Sequence, residues 1–202
     1  MRMSKRYRLA AALIFASMCG GALAAMAAQG WRIDEAHTSI GFKIDATGFP
    51  TTRGQFRHYT GRIAIDLDRP AKSSTNFTVE SASVDVGSQS YTDFVKSAAL
   101  LHVAKFPTLS FASTQVEKLD PRTARVTGNL TMLGVTKPVA LTVNVEPDPS
   151  ANESSKQSSK RRLVAFSATG RIKRSDFGMI FGLPLIDDTI EITVKTRALT
   201  DE

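Results

Sequence analysis

Cysteine is almost absent from this chain: a single one, Cys19, stands near the start of 202 residues. A fold stapled by disulfides is therefore excluded, and a cysteine-based metal site with it. Histidine is scarce as well. The three present, His37, His58 and His102, show neither the HxH nor the HExxH spacing that sets two imidazoles on one metal. There is no Gly-x-Ser-x-Gly elbow, no P-loop and no glycine-rich dinucleotide turn. The common routes to nucleophilic, phosphoryl-transfer and hydride chemistry thus leave no local signature. Beyond residue 28 no apolar run approaches membrane-spanning length. These patterns assign no catalytic residue, no metal ligand and no cofactor.

What is present begins with a leader. Arg2, Lys5, Arg6 and Arg8 precede an Ala-rich apolar run from Leu9 to Ala28, and Ala22/Ala24 and Ala25/Ala27 each offer an A-x-A exit. A basic head, an apolar middle and a small-residue exit make residues 1–28 a cleaved secretory signal peptide. An uncleaved anchor is the alternative, but Gly20 and Gly21 weaken the far half of the run. Cys19 does not make a lipoprotein, because Met18 stands where a small residue is needed. Cleavage after Ala28 leaves 174 residues, enough for one domain over 29–202 with a single core. It removes four basic residues and no acidic one, so the formal net charge falls from +7 to +3. A nucleic-acid role loses its electrostatic support. The mature protein is expected in the periplasm.

Period-two alternation runs through most of the rest. It predicts strands at Trp31–Asp34, Ser39–Asp45, Thr60–Asp68, Asn76–Val86, Thr108–Glu117, Leu163–Lys173 and Thr189–Arg197. A change of parity in Asn76–Val86 suggests a bulge near Ser81. The clearest signal is a hairpin over 126–145. Val126, Leu130 and Met132 share one face, a polar break follows at Gly134–Lys137, and Val139, Leu141, Val143 and Val145 resume the inward row. Pro138, lacking an N–H, belongs at the start of the second strand. About eight strands at this spacing argue for an antiparallel sandwich or closed barrel.

Two stretches depart from the pattern. Tyr91–Val103 has Phe94, Ala98 and Leu101 at helical spacing, with Pro107 beyond, and reads as one or two short helices across a barrel end. Residues 147–162, PDPSANESSKQSSKRR, form a flexible polar loop at a hairpin tip. Its Lys156, Lys160, Arg161 and Arg162 could touch an anionic surface, although a solvated loop explains them as well.

Few residues invite a chemical reading. Asp93 and Asp176 begin local turns, where capping accounts for them. Asp34 and His37 in IDEAHTSI are a better pair, yet a carboxylate and an imidazole at a strand turn more often tie down backbone. The inward positions mix large residues (Phe42, Phe77, Phe111, Phe166) with small ones (Ala82, Gly128, Ala168). An eight-stranded barrel has room either for its own side chains or for one slim ligand. A packed core and an apolar lumen both remain open at this point.

The motifs go further. IDEAHTSIGFKI at 33–44, RGQFRHYTGRIAID at 53–66, HVAKFPTLSF at 102–111, VTGNLTMLGVTKPVALTV at 126–143 and IKRSDFGM at 172–179 occur in one order across the mature chain. On these the chain resembles the YceI-like family of periplasmic polyisoprenoid-binding proteins. GNLTMLGVTKP and KRSDFGM are the most specific segments. The resemblance implies an all-β, eight-stranded antiparallel lipocalin-like barrel with one or two short helices at one end. It also implies a lumen that binds, transports or stores an isoprenoid lipid or quinone, and no enzymatic activity.

Within the matching motifs, the residues implied to line the tunnel are Phe42, Ile44, Phe56, Ile63, Ile65, Phe111, Leu130, Met132, Leu141, Phe166, Phe177 and Met179. Lys137, at the hairpin turn, would be free to meet solvent or a lipid head group. The chain departs from the family pattern at Asp45-Ala46, where a His is frequent, and at Ala99-Leu100-Leu101, where an acidic and aromatic sequence is usual. A different head group or chain length follows as an expectation. Beyond the lipid, the expected partners are a transient membrane surface and, at most, a second copy, giving a monomer or homodimer. The competing readings are a stress-response or structural module with a packed core, and an enzyme built on Asp34, His37 or His102.

Overall fold

The computed structural model describes residues 29–66, 69–146 and 163–200. The leader and the polar segment 147–162 lie outside the described residues. The described residues are all-β and antiparallel, with one α-helix among them. Its strands are β1 (Gln29–Ile33), β2 (Ser39–Ala46), β3 (Phe49–Phe56), β4 (Tyr59–Ile65), β5 (Ser74–Glu80), β6 (Val84–Asp85), β7 (Thr108–Lys118), β8 (Thr123–Met132), β9 (Val135–Glu146), β10 (Leu163–Lys173) and β11 (Ile186–Thr200). The helix α1 spans Gln89–Lys96.

The sheet curls back on itself. β1 pairs with β4 on one side and β11 on the other, so the order β1-β4-β5-β7-β8-β9-β10-β11 returns to its start. β2 continues along the edge of β11 beyond β1: Trp31–Ile33 face Thr200–Ala198, and Ser39–Ala46 face Lys195–Ile186. β3 and β4 in turn face β2 and β1. A curled sheet of this kind leaves no long exposed edge and encloses one inward face.

Among the described residues eleven strand segments stand where about eight were expected, and the differences have local causes. The stretch 49–56 is a strand that alternation does not reveal, because its inward position opposite Phe42 is Gly54. A β-carbon at 54 would stand 2.3 Å from Phe42 Cζ, so the ring occupies the room that a side chain would need. The expected strand over 76–86 is interrupted by a 3-10 turn at Ser81–Ser83, not by a bulge. Ser81 is buried there, its N–H donating to Pro107 O at 2.8 Å. The strand expected over 60–68 ends at Ile65. The one helix is earlier and shorter than the stretch 91–103 suggested, and residues 97–107 follow it as turns.

The hairpin turn is also tighter than expected. It consists of Leu133 and Gly134 alone, at φ 53° and 75°, and Val135–Lys137 already belong to β9. Positive φ at both central residues is the geometry that matches the twist of a two-residue hairpin. Pro138 is accordingly the fourth residue of its strand, opposite Asn129. β10 pairs with β9 only from Leu141 onward, so the missing N–H takes no bond from that ladder.

Candidate functional site

The inward face encloses a cavity of about 380 Å³. Each strand around the ring contributes its in-phase residues. Ile40, Phe42 and Ile44 come from β2, Phe77 and Val79 from β5, Leu109 and Phe111 from β7, and Leu130 and Met132 from β8. Val139, Leu141, Val143 and Val145 form one row on β9; Val145 and Val143 lie opposite Phe166 and Ala168 of β10, and Ile190, Ile192 and Val194 of β11 continue the lining beyond β10. Side chains alternate across a strand, so a run of residues at i, i+2 and i+4 becomes a continuous apolar wall.

Of the residues the motifs singled out, Phe42, Ile44, Phe56, Ile63, Ile65, Phe111, Leu130, Met132, Leu141, Phe166 and Met179 all line this cavity. Phe177 does not. It lies in the 3-10 turn Arg174–Phe177, 2% exposed, and packs into the core beside Met179. Lys137 is exposed and is not part of the lining. Val139, Val143, Val145, Ile190, Ile192 and Val194 also line the cavity. The same alternation puts them on the inward face, although they are not among the residues the motifs singled out.

One end of the cavity is covered by α1. Tyr91, Phe94 and Val95 line it, while Thr92 is buried and its Oγ1 accepts from the Val86 N–H at 3.2 Å. Phe94 meets the ring of Phe181 edge-on, with centroids 5.2 Å apart. Phe181 belongs to the loop between β10 and β11, whose Ile180, Leu183 and Leu185 are exposed together with Phe49 of the neighbouring hairpin. The rim at this end is therefore apolar.

Arg174 anchors that loop. It is 2% exposed, and its guanidinium donates to four carbonyls: Asp187 at 2.8 Å, Met179 at 2.9 Å, Phe181 at 2.7 Å and Ile186 at 2.8 Å. Burial lowers its pKa, and the nearby Asp188 opposes that shift. Asp188 accepts from the Ser175 backbone N–H at 2.9 Å and from Ser175 Oγ at 2.7 Å, bonds that hold its carboxyl below the ordinary aspartate value. No local pattern announces this Arg as structural, since its partners are carbonyls five to thirteen residues away.

The opposite end is polar. Asp66, Ser73, Lys118, Asp120, Arg122 and Thr123 line it, on the β4–β5 connection and the turn between β7 and β8. Asp66 is paired with Arg69 at 2.9 Å. Asp120 accepts the Arg122 N–H at 2.8 Å, and this bond, with further ones from Thr123 and the nearby Lys118 charge, lowers its pKa.

The chemical candidates do not converge on the cavity. Asp34 Oδ2 meets His37 Nδ1 at 2.7 Å, while Asp34 Oδ1 accepts the Ala36 N–H at 3.1 Å. The pair ties the turn between β1 and β2. His102, at φ 44°, sits edge-on to Phe106, 5.8 Å between ring centres. None of the three lines the cavity. Among the described residues no group of three His, Cys, Asp or Glu is placed to hold a metal, and no helix is long and apolar enough to cross a membrane.

Comparison with known proteins agrees with this architecture. The YceI-like domain matches residues 31–198. The protein YceI of Salmonella agona is 30% identical over 190 residues, covering 92% of this chain and 94% of its own length. The crystal structure of the Campylobacter jejuni YceI protein is similar with a TM-score of 0.66 and 27% identity, over 84% of this chain and 96% of that one. A polyisoprenoid-binding domain from Saccharophagus degradans shares the fold at a TM-score of 0.60 and 13% identity, covering 86% of this chain and 99% of that one. With the motifs, the curled sheet and the matched domain in agreement, the chain belongs to the YceI-like family.

Proposed function

We propose that this protein binds an isoprenoid lipid, of polyprenyl or quinone type, in its apolar cavity and carries or stores it in the periplasm. The observation that carries the reading is the continuous apolar wall over β2, β5 and β7–β11 around a cavity of about 380 Å³. That size lies within the usual range of small-molecule sites, roughly 300–1,000 Å³. Each buried methylene of a prenyl tail would contribute roughly 0.8 kcal/mol, so a few isoprene units outweigh the cost of ordering the chain. The polyisoprenoid-binding relative from Saccharophagus degradans supports the same ligand class.

In this reading β1 with β2, β3 with β4, and β5 with β6 each act as one interrupted stave. With β7–β11 they make the eight staves of a lipocalin-like barrel. The protein acts by binding, without a catalytic step, and meets a membrane surface transiently when it takes up or releases its lipid. The basic, Ala-rich leader at 1–28 supports export and removal before folding. The test is to purify the mature protein without detergent, extract it with organic solvent and examine the extract by mass spectrometry. A co-purifying prenyl lipid is expected. Its absence, together with failure to take up added prenyl lipid or quinone, would leave the packed structural module as the better reading.

A further inference from the structure

The two ends of the cavity differ in chemistry, and the difference bears on the ligand's head group. An amphiphile whose tail fills the apolar wall must leave its polar head at an end, because burying it along the wall would strip its hydration without replacement. At the α1 end the rim is apolar, with Phe181 and Leu185 exposed. Among the described residues lining the cavity at this end the one cation is Arg174, and four of its N–H groups are committed to carbonyls of its own loop.

At the far end Lys118 and Arg122 both line the cavity, and among the described residues neither side chain is held in an ion pair. Their backbone is fixed. Leu119 N–H donates to Thr123 O at 2.9 Å, Val145 N–H donates to Arg122 O at 2.8 Å, and Asp120 receives the Arg122 N–H. Asp66 is paired with Arg69, and among the described residues that line this end Asp120 is the carboxylate left beside Lys118 and Arg122. Ser73 and Thr123 add hydroxyls beside them. Two cations and two hydroxyls on a hydrogen-bonded turn at one end of the cavity make a place for an anion, and an Arg fork together with a Lys ammonium suits a phosphate.

We propose that this is the head-group end, and that the cavity takes isoprenoids carrying a phosphate head in preference to those with an uncharged head, the anion held by Lys118 Nζ and the Arg122 guanidinium. The inference rests on the isoprenoid reading above and deepens it. The tail then runs toward Phe94 and Met179.

The experiment compares geranylgeranyl monophosphate with geranylgeraniol, which share a tail and differ in head charge, by titration calorimetry on the purified protein. The phosphate is expected to bind about tenfold more tightly or better, with the margin shrinking as salt rises. In the K118Q/R122Q variant the margin should vanish, the phosphate binding no more tightly than geranylgeraniol. Equal affinity of the two lipids in the unaltered protein, or a margin that survives in the variant, overturns the proposal and leaves the isoprenoid reading standing. If neither lipid binds, both fall. Should the variant lose geranylgeraniol binding as well, the salt dependence in the unaltered protein decides: a margin insensitive to salt rules out the cationic end.

Discussion

The ring of Phe111 lies against the backbone of Gly128 on the neighbouring strand. A β-carbon at 128 would stand 2.4 Å from Phe111 Cζ and 2.6 Å from the carbonyl oxygen of Ala112. The missing side chain lets the ring lie flat along the wall instead of projecting into the lumen. Gly54 beneath Phe42 repeats the arrangement. Inward glycines therefore do not create the cavity's volume directly; they park aromatic rings against the sheet, and the space is left in the middle.

Gly128→Ala should accordingly destabilise the protein by about 1–3 kcal/mol, because one of the atoms in the way is backbone and cannot step aside. Gly170→Ala should cost less. Its closest obstacle, at 2.4 Å, is Leu141 Cδ2, the tip of a flexible side chain, and the nearest backbone oxygen is 3.1 Å away. Urea unfolding of the two variants checks the order; equal losses would contradict it.

Arg174→Met should cost at least about 2 kcal/mol, since four carbonyls of the loop between β10 and β11 would lose a charged donor in a buried setting. Arg174→Lys should not rescue it, because one ammonium cannot reproduce a planar fork aimed at four acceptors. Besides urea unfolding, hydrogen exchange at Met179 and Ile186 should speed up in both variants.

Asp188 makes stability fall in acid. Its folded pKa is lowered, chiefly by the Ser175 backbone N–H and then by the Ser175 hydroxyl. The stabilisation is complete above the ordinary aspartate value and is lost as pH falls through the lower folded one. Asp188→Asn should thus be less stable than the unaltered protein at neutral pH, with the gap closing toward strong acid. Thermal unfolding across that range reads it directly.

Ala168→Phe should reduce lipid uptake without a matching loss of stability. Ala168 lies on the cavity wall between Val143 and Val194, both of which also line the cavity. A ring there fills lumen instead of displacing packed neighbours. The amount of lipid co-purifying, set against the unfolding midpoint, separates the two effects.

How much of this is legible without coordinates depends on how local the cause is. The inward rows of β8 and β9 are plain in VTGNLTM and VALTVNV, because alternation is a property of the strand itself. β3 is illegible for the complementary reason: its inward Gly54 makes sense only once the ring of Phe42 is known to cover it. Phe177 sits in a motif beside Met179, yet the 3-10 turn sends it into the core and leaves Met179 on the cavity. A two-residue step through a turn has no periodicity from which to read direction.

The amino-acid sequence alone determined the β class, the family and the apolar phase of nearly every strand, since each follows from neighbours along the chain. The tertiary structure decided that the inward face encloses a cavity, that one end of it is apolar and the other polar, and that Arg174 is a buried fastener. Those outcomes depend on which side chains meet across the curled sheet, where residues as far apart as Phe42 and Ile192 become neighbours on one wall.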